Sequence, residues 1–408
     1  MSEREDRSDR EDRPDLETLR RELTQLRHQL HRQPELAGQE AETAALVAKT
    51  LAAWPRTTGS VEILTGLGGH GLAAIFPAAD DAPGPTVMLR CELDALPLAE
   101  SPACPWPSRN PSAAHKCGHD GHMAMVCGVA RHLAACPPPR GRVILVFQPA
   151  EETGTGAAAL LADGRFRALD PDWIFALHNL PGHPPWSVLT RAGAFAAGSC
   201  GVRIRLEGAT SHAAYPEQGH SPDRALARLV TDLINLNSDQ GDELALVTIT
   251  HARLGDPAFG ITPGQAEILA TIRAQDDAVL RRLKEETSRR AHAAARRWDL
   301  AVRVGFEEEF PVTWNDAHAV DMIAAAAREL DLDVQDPAES PFRWSEDFGL
   351  LTAWRPGAMF GLGAGPDHAP LHSPHYDFPD DLLIPGVMML EKIIAHAMRA
   401  GNPPKPVC

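Results

Sequence analysis

Three short apolar runs in this chain, at 87–89, 143–147 and 173–177, are each followed closely by acidic or imidazole side chains. Continuous apolar runs are typical of strands buried on both faces, as in parallel sheets that helices cover. The carboxyl ends of such strands meet at one edge of the sheet, where binding sites form. The side chains that this arrangement would bring together are Asp94, Glu151, Glu152 and His178.

Helical patterns alternate with these strands. Leucines at 16, 19, 23, 26 and 30 form one apolar stripe at helical spacing, and the stretches 123–136 and 156–162 also have helical patterns. Strands that alternate with helices favour a largely parallel sheet. We therefore predict an α/β fold in which helices cover a mostly parallel central sheet.

A different order of elements begins near residue 196. The sequence predicts a strand, a helix, two strands, a helix and a strand, at 202–207, 226–234, 244–251, 268–273, 279–298 and 300–306. This βαββαβ order is that of the ferredoxin-like unit. Helical patterns return at 320–330 and 384–398, separated by a stretch that includes a segment rich in proline and glycine at 354–374. The predicted organisation is a charged, disordered segment at 1–15, a main domain formed by 16–195 and 310–400, and an inserted domain at 196–309.

Composition restricts the partners of this chain. A formal net charge of −16 over 408 residues argues against a general nucleic-acid binder, which needs a basic surface. The basic residues of the second predicted helix of the insert are interrupted by Glu285 and Glu286, which indicates a solvated face. Seven cysteines, an odd number spread along the chain, favour reduced thiols over a disulfide framework. With no apolar signal core and no long apolar run, the sequence predicts a cytoplasmic protein with no membrane partner.

The segment 115–122, His-Lys-Cys-Gly-His-Asp-Gly-His, is the densest group of potential metal ligands. Cys117 and His119 are close enough in sequence to bind one ion, as a thiolate and an imidazole. A single Cys-x-His pair is a weak signal, because buried cysteines and histidines are common. Together with the acids and the imidazole at the strand ends, this pair predicts a metal-dependent hydrolase.

Four motifs occur in a fixed order: Cys-Gly-His-Asp at 117–120, Phe-Gln-Pro-Ala-Glu-Glu at 147–152, His-Asn-Leu-Pro at 178–181 and Leu-His-Ser-Pro at 371–374. With these motifs, the chain resembles the metal-dependent aminoacylase and carboxypeptidase family. The resemblance is to the branch that contains hippurate hydrolase, N-acetyldiaminopimelate deacetylase and the auxin-conjugate (indole-acetyl-amino acid) amidohydrolases. It implies a zinc-peptidase-like catalytic domain interrupted by a ferredoxin-like lid, which usually also forms the dimer.

The resemblance also implies the residues of the site. Two divalent ions would be bridged by the thiolate of one cysteine, and the implied metal ligands are Cys117, His119, Glu152, His178 and His372. Glu151 would be the general base and acid, and His212 would stabilise the oxyanion from the lid, often that of the partner subunit. From its position after a strand, Asp94 is expected to orient a ligand imidazole, with a structural turn carboxylate as the alternative. Arg273 could bind a substrate carboxylate or form a structural salt bridge. The mixed ligands admit manganese or zinc, with cobalt and nickel also open.

The predicted function is amide hydrolysis, in which a metal-activated water removes an acyl group from an N-acyl amino acid or a similar small compound. One alternative is a dipeptidase or carboxypeptidase of the same family, and another is a catalytically silent binding or regulatory protein on the same fold. Ala158 and Gly260 depart from the family pattern, which indicates an atypical pocket. The expected partners are a small N-acylated substrate and a second copy of the chain, as a homodimer or a dimer of dimers through the lid. The motif residues without a predicted role are His115, Asp120, His122, Glu346 and Asp347.

Overall fold

The computed structural model describes residues 16–54, 61–237, 244–337 and 341–403. The predicted disordered segment at 1–15 lies outside the described residues. The helices of four or more residues are α1 (Leu16–His31), α2 (Ala41–Ala53), α3 (His119–Ala135), α4 (Gly156–Ala162), α5 (Gly164–Arg167), α6 (Asp223–Ile234), α7 (Asp277–Arg297), α8 (Ala317–Glu329), α9 (Gly349–Trp354) and α10 (Leu383–Ala400). The strands are β1 (Glu62–Leu67), β2 (Gly71–Pro77), β3 (Thr86–Glu92), β4 (Arg142–Gln148), β5 (Trp173–Pro181), β6 (Val188–Leu189), β7 (Gly193–Ala196), β8 (Gly198–Glu207), β9 (Ala245–Leu254), β10 (Gln265–Ala274), β11 (Ala301–Phe310), β12 (Thr313–Asn315), β13 (Val334–Gln335) and β14 (Gly357–Gly365).

The described residues divide into two compact units. The first unit contains the described residues within Met1–Phe195, Trp314–Ala338 and Asp347–Cys408. The second unit contains those within Ala196–Thr313 and Glu339–Glu346. None of the described helices is both long enough and apolar enough to cross a membrane.

An eight-stranded sheet forms the centre of the first unit, in the order β1-β2-β4-β3-β5-β14-β6-β13. The middle of this sheet is parallel, since β4, β3, β5 and β14 pair in the same direction. The strands β1 and β2 add antiparallel pairs at one side. The prediction of an α/β fold with a mostly parallel sheet is confirmed.

Helices cover this sheet because their apolar faces need a partner. In α1, Leu19, Leu23, Leu26 and Leu30 are buried in the main core, whereas Leu16 at the first turn is exposed. Almost the whole of α3 is buried, from His119 onward. The predicted helix at 123–136 therefore begins four residues earlier, so that the ligand motif and α3 are continuous.

The strand β14 was missing from the sequence prediction, which described 354–374 only as rich in proline and glycine. The strand was not predicted because its glycines interrupt the pattern of β-branched and apolar residues by which strands are recognised. The packing requires these glycines. A Cβ at Gly361 would lie 2.1 Å from Leu180 Cδ1 of the neighbouring strand. This close fit lets β14 lie beside β5, and the loop that follows it carries the last ligand motif.

The second unit contains a four-stranded antiparallel sheet in the order β11-β8-β10-β9, with α6 and α7 packed on one face. Alternation explains the two faces of β8: Val202 and Ile204 are buried in the core of the unit, and Arg205 is exposed. The observed element order, βαββαβ, is the one expected from the sequence.

Candidate metal centre

Cys117 is held at the entrance to α3 by the glycine that follows it. Gly118 has a φ of 95°, a left-handed conformation that favours glycine, and it caps the helix that begins at His119. A Cβ at Gly118 would also lie 2.3 Å from Asn179 Oδ1. Only 7% of Cys117 is exposed, so its thiol faces the interior beside the first turn of α3.

Two backbone carbonyls fix how the imidazoles of His119 and His178 are protonated. His119 Nδ1 lies 2.8 Å from the carbonyl oxygen of Asp94, and His178 Nδ1 lies 2.9 Å from that of Asn179. A carbonyl can only accept, so both Nδ1 atoms carry the proton and both Nε2 atoms keep a lone pair. His178 Nε2 lies 3.4 Å from Cys117 Sγ. Each ring thus has an unprotonated Nε2 that could act as a metal ligand.

The two glutamates lie in a turn directly after β4. The turn begins at Ala150, which has a φ of 51°, and the Glu152 N–H donates to Asp94 Oδ2 at 2.9 Å. This backbone conformation directs both carboxylates to one imidazole: His119 Nε2 lies 3.8 Å from Glu151 Oε2 and 3.9 Å from Glu152 Oε1.

His372 reaches the same group of donors from the loop after β14. Its φ is 62°, its N–H donates to the Lys116 carbonyl at 2.8 Å, and its Nε2 lies 3.8 Å from Glu152 Oε2. About half of the side chain, 53%, is exposed. The structure therefore brings together all five residues that the resemblance implied as ligands, with Glu151 beside them.

The donor atoms form overlapping triads, each with its atoms within 4.8 Å of one another: Cys117–His119–His178, Cys117–Glu152–His372 and His119–Glu151–Glu152. Ligands about 2.0–2.3 Å from a tetrahedral ion lie about 3.3–3.8 Å apart, which is close to the distances found here. The thiol belongs to two triads, as a bridging ligand must. This geometry suits two divalent cations.

The electrostatics of the cluster also suit cations. Burial raises the pKa of the Cys117 thiol well above its usual range, and the Glu152 and Glu151 carboxylates raise it further. Burial lowers the pKa of His119, which keeps its imidazole neutral. Among the described residues, His119 Nε2 has no hydrogen-bond partner although it is buried. A thiol beside two carboxylates and neutral imidazoles is a donor set that a divalent ion would stabilise.

Asp94 supports the ligands in a way that the sequence did not indicate. Its backbone carbonyl holds His119, while its carboxylate accepts the Glu152 N–H. The carboxylate oxygen Oδ1 is 3.8 Å from His119 Nδ1, beyond a hydrogen bond. Burial raises the pKa of Asp94 to about 7. Asp94 therefore connects the imidazole of His119 to the backbone of Glu152, two candidate ligands.

His122 forms hydrogen bonds with two buried residues next to the candidate ligands. Its Nδ1 is 2.7 Å from Glu92 Oε2 and its Nε2 is 2.6 Å from Asn179 Oδ1. The Asn179 amide in turn donates to Tyr376 Oη at 2.6 Å. Sequence reasoning missed Asn179 and Tyr376; Asn179 lies inside the third motif and Tyr376 two residues after the fourth, and this proximity was their only signal.

A buried polar network supports the strand ends around Asp347, which had no predicted role. Its carboxylate accepts hydrogen bonds from Arg90, Gln148 and the Ala157 N–H, each at 2.7–2.8 Å. Arg90 also pairs with Glu92. The network links β3, β4 and the start of α4, and it was not predicted because its partners are far apart in sequence.

Two further residues without a predicted role, His115 and Asp120, flank Cys117 and His119 in the sequence. Asp120 accepts hydrogen bonds from His31 at 2.8 Å and from Arg27 at 3.2 Å. His115 is buried, and burial lowers its pKa to about 4. The hydrogen bonds of Asp120 attach the segment 115–120 to α1.

The remaining predicted site residues belong to the second unit. His212 is exposed, and its Nδ1 accepts the Ala214 N–H at 3.0 Å. Arg273 is partly buried and donates to the Arg343 carbonyl at 2.7 Å and to Ser345 Oγ at 3.0 Å. Glu346 is buried.

A mostly parallel α/β sheet with thiol, imidazole and carboxylate donors at the carboxyl ends of its strands defines a hydrolase of the metallopeptidase type. The chain belongs to peptidase family M20/M25/M40, whose model matches residues 88–396. Membership confirms the family named from the motifs and the predicted class, an enzyme that hydrolyses amides.

Relatives extend the similarity over almost the whole chain. The N-acetyldiaminopimelate deacetylase of Lacticaseibacillus casei (strain BL23) is 30% identical over 92% of this chain and 98% of its own length. The hippurate hydrolase of Campylobacter jejuni subsp. jejuni is 32% identical over 90% of this chain and 94% of its own. The crystal structure of the Bacillus subtilis YXEP protein, a dinuclear metal binding peptidase from the M20 family, has the same fold. It has a TM-score of 0.78 at 24% identity and covers 94% of this chain and 99% of its own.

Proposed function

We propose that this protein is a metal-dependent amidohydrolase that removes the acyl group from an N-acyl amino acid or a similar small compound. The observation that carries the proposal is the position of Glu151, a buried carboxylate 3.8 Å from a ligand imidazole and beside five donors suited to cations. The deacetylase and hippurate hydrolase relatives, whose names specify N-acyl compounds, support the substrate class.

The cations would be held by Cys117, His119, Glu152, His178 and His372, with the thiolate shared. Bound there, two divalent ions would polarise the scissile carbonyl and lower the pKa of water. Zinc and manganese are the proposed ions, with cobalt and nickel as candidates, because the set mixes a soft thiolate with imidazole and carboxylate.

Glu151 is the proposed proton carrier. Only 6% of the residue is exposed, so its carboxylate lies within the site and away from bulk solvent. It would take the proton of the attacking water and return it to the leaving amine. A base positioned in this way contributes about 10²–10⁴-fold to the rate.

His212 is proposed to stabilise the oxyanion, and its hydrogen bonding suits that role. Because its Nδ1 accepts a backbone N–H, a neutral ring carries its proton on Nε2. The imidazole is exposed and can donate from that nitrogen to an anionic oxygen.

For Arg273, the substrate-carboxylate role is favoured over a structural salt bridge. Both of its described hydrogen bonds go to neutral oxygens, of Arg343 and Ser345. Within the described part of its own unit, it has no carboxylate partner, and burial lowers its pKa. A partly desolvated guanidinium with donors to spare is suited to an anion.

The assembly and location are further proposals. The strand β9 lies at the edge of its sheet, and an edge strand can pair with a second copy, which supports a homodimer or a dimer of dimers through the second unit. The six described cysteines form no disulfide with one another, which favours a reducing compartment such as the cytoplasm.

The test is metal analysis of the purified protein combined with a substrate panel. N-acetyl, N-benzoyl and indole-acetyl amino acids represent the three enzyme types of the predicted branch, and dipeptides represent the peptidase alternative. We expect about two equivalents of metal, hydrolysis of at least one N-acyl substrate, and loss of activity on chelation that added zinc, manganese or cobalt restores. Hydrolysis of dipeptides alone would favour the peptidase alternative. No hydrolysis of any compound, with or without added metal, would favour a catalytically silent binding protein.

A further inference from the structure

His372 is the ligand whose position is least determined by secondary structure. The other four candidates lie at strand ends, in a turn after a strand or at the start of α3, whereas His372 lies in an irregular loop with a left-handed backbone. Half of its side chain is exposed. Its distance from Glu152 and Cys117 therefore depends on what holds the loop.

Lys116 holds this loop at two points. Its carbonyl accepts the His372 N–H at 2.8 Å, and its ammonium donates to the Tyr376 carbonyl at 2.6 Å. Only 1% of Lys116 is exposed, so both bonds are shielded from water. A third bond, from the Ser101 N–H to the Pro374 carbonyl at 3.0 Å, holds the loop between these points.

The ammonium is compensated by one carboxylate. Glu100 pairs with Lys116 and also accepts hydrogen bonds from His31 at 2.7 Å and from the Ser108 N–H at 2.6 Å. Because Glu100 is fixed from three directions, it fixes the direction of the lysine side chain. A buried charge with a paired partner is stable, and removing one partner is costly.

We propose that Lys116 is a positioning residue that places His372 in the Cys117–Glu152–His372 triad. Lys116 is adjacent in sequence to Cys117 and is hydrogen-bonded to the loop of His372. It therefore sets the separation of two candidate ligands of one ion. The Cys117–His119–His178 triad does not depend on this loop. The inference rests on the two-ion site proposed above.

The experiment is a titration of the metal-free protein with Co²⁺, followed by visible absorption of the thiolate and d–d bands. We expect the wild-type protein to bind two equivalents. Lys116→Met removes the ammonium and keeps the backbone carbonyl, so we expect the first equivalent to bind normally and the second to bind at least about tenfold more weakly, as loss of outer-shell support does. Lys116→Arg, which keeps a cationic donor, should restore the second equivalent to within about threefold.

His372→Ala is the reference, because it removes the ligand that Lys116 is proposed to position. If Lys116 acts through His372, adding Lys116→Met to His372→Ala should weaken the second equivalent no further. Arg142→Met is the matched control. Arg142 also donates from a basic side chain to a carbonyl, that of Leu169 at 2.6 Å, in a position away from the candidate ligands, so both equivalents should bind as in wild type.

The outcomes separate this inference from the proposed function. A wild-type protein that binds fewer than two equivalents overturns the two-ion site and this inference with it. If the wild-type protein binds two equivalents and a folded Lys116→Met protein binds both equally well, the proposed role of Lys116 is overturned and the two-ion site is not. If circular dichroism shows that Lys116→Met is unfolded, Lys116→Gln is used instead, and the same criterion applies.

Discussion

His119 Nδ1 donates to the backbone carbonyl of Asp94 at 2.8 Å, while the carboxylate of the same aspartate accepts the N–H of Glu152. Asp94 therefore holds the imidazole of one candidate ligand, His119, with its main chain and the backbone of another, Glu152, with its side chain. Substitution of Asp94 separates these two roles, since the carbonyl is retained in every variant.

Asp94→Ala removes the acceptor of the Glu152 N–H and leaves the His119 bond in place. We expect metal affinity to fall about 10–100-fold, because outer-shell partners contribute that much. Calorimetric titration of the metal-free protein with Zn²⁺ measures this. Asp172→Asn is the control, since Asp172 accepts the Thr86 N–H at 2.8 Å, at the opposite end of β3 from the ligands. An unchanged zinc affinity in Asp94→Ala would show that Glu152 is held without it.

Glu151→Gln should lower kcat by about 10²–10⁴-fold and retain full metal content, because the amide cannot accept the proton of water. Glu152→Gln should lose metal as well as activity. Steady-state kinetics with the best N-acyl substrate and elemental analysis of both variants test the division of roles. Comparable metal loss in the two variants would contradict the assignment of Glu151 as the base.

Gly118→Ala should destabilise the protein and reduce its metal content, since its Cβ would lie 2.3 Å from Asn179 Oδ1 at a φ of 95°. The backbone strain alone costs about 1–3 kcal/mol. Gly182→Ala separates the two effects, because Gly182 has a φ of 87° and a Cβ added there would meet no heavy atom of the described residues within 4 Å. Thermal unfolding of both variants should show a larger loss for Gly118→Ala, and equal losses would exclude the steric contribution.

His31 should make stability depend on pH above neutrality. Burial by itself would lower its pKa, but hydrogen bonds with Asp120, Cys104 and Glu100 outweigh burial and raise the pKa to about 11. The folded pKa is thus above the unfolded value, about 6.5. The stabilisation is complete below pH 6.5 and is lost as pH rises towards 11, by up to about 1.4 kcal/mol per pH unit.

The measurement is urea denaturation at about pH 6.5, 7.5 and 8.5, a range that begins at the unfolded pKa of histidine and extends above it. The wild-type protein should lose stability over this range more steeply than His31→Gln, which should also be less stable by about 3 kcal/mol at the lowest pH because Asp120 loses a buried partner. His318→Gln, at an exposed histidine of α8, should follow the wild-type curve. Parallel curves for wild type and His31→Gln would mean that His31 is not charged in the folded protein.

Site residues were predictable from the sequence where the residues before them form recognisable strands. Asp94, Glu151, Glu152 and His178 follow apolar runs, and the parallel pairing of β3, β4 and β5 places those strand ends at one edge. His372 came from the resemblance alone, because β14 is rich in glycine and has no apolar alternation. The carbonyl of Asp94 and the amide of Asn179 could not be predicted, since the partner of a main-chain acceptor or of a buried amide is set by tertiary packing.

The place of β14 in the sheet has a consequence for how the chain is made. Its neighbours β5 and β6 are synthesised before the second unit, and β14 itself only after it. Until the ribosome has translated that whole unit, the nascent first unit carries an open strand edge, which is a template for aggregation. A chaperone that shields the growing polypeptide during this interval would therefore increase the yield of active enzyme.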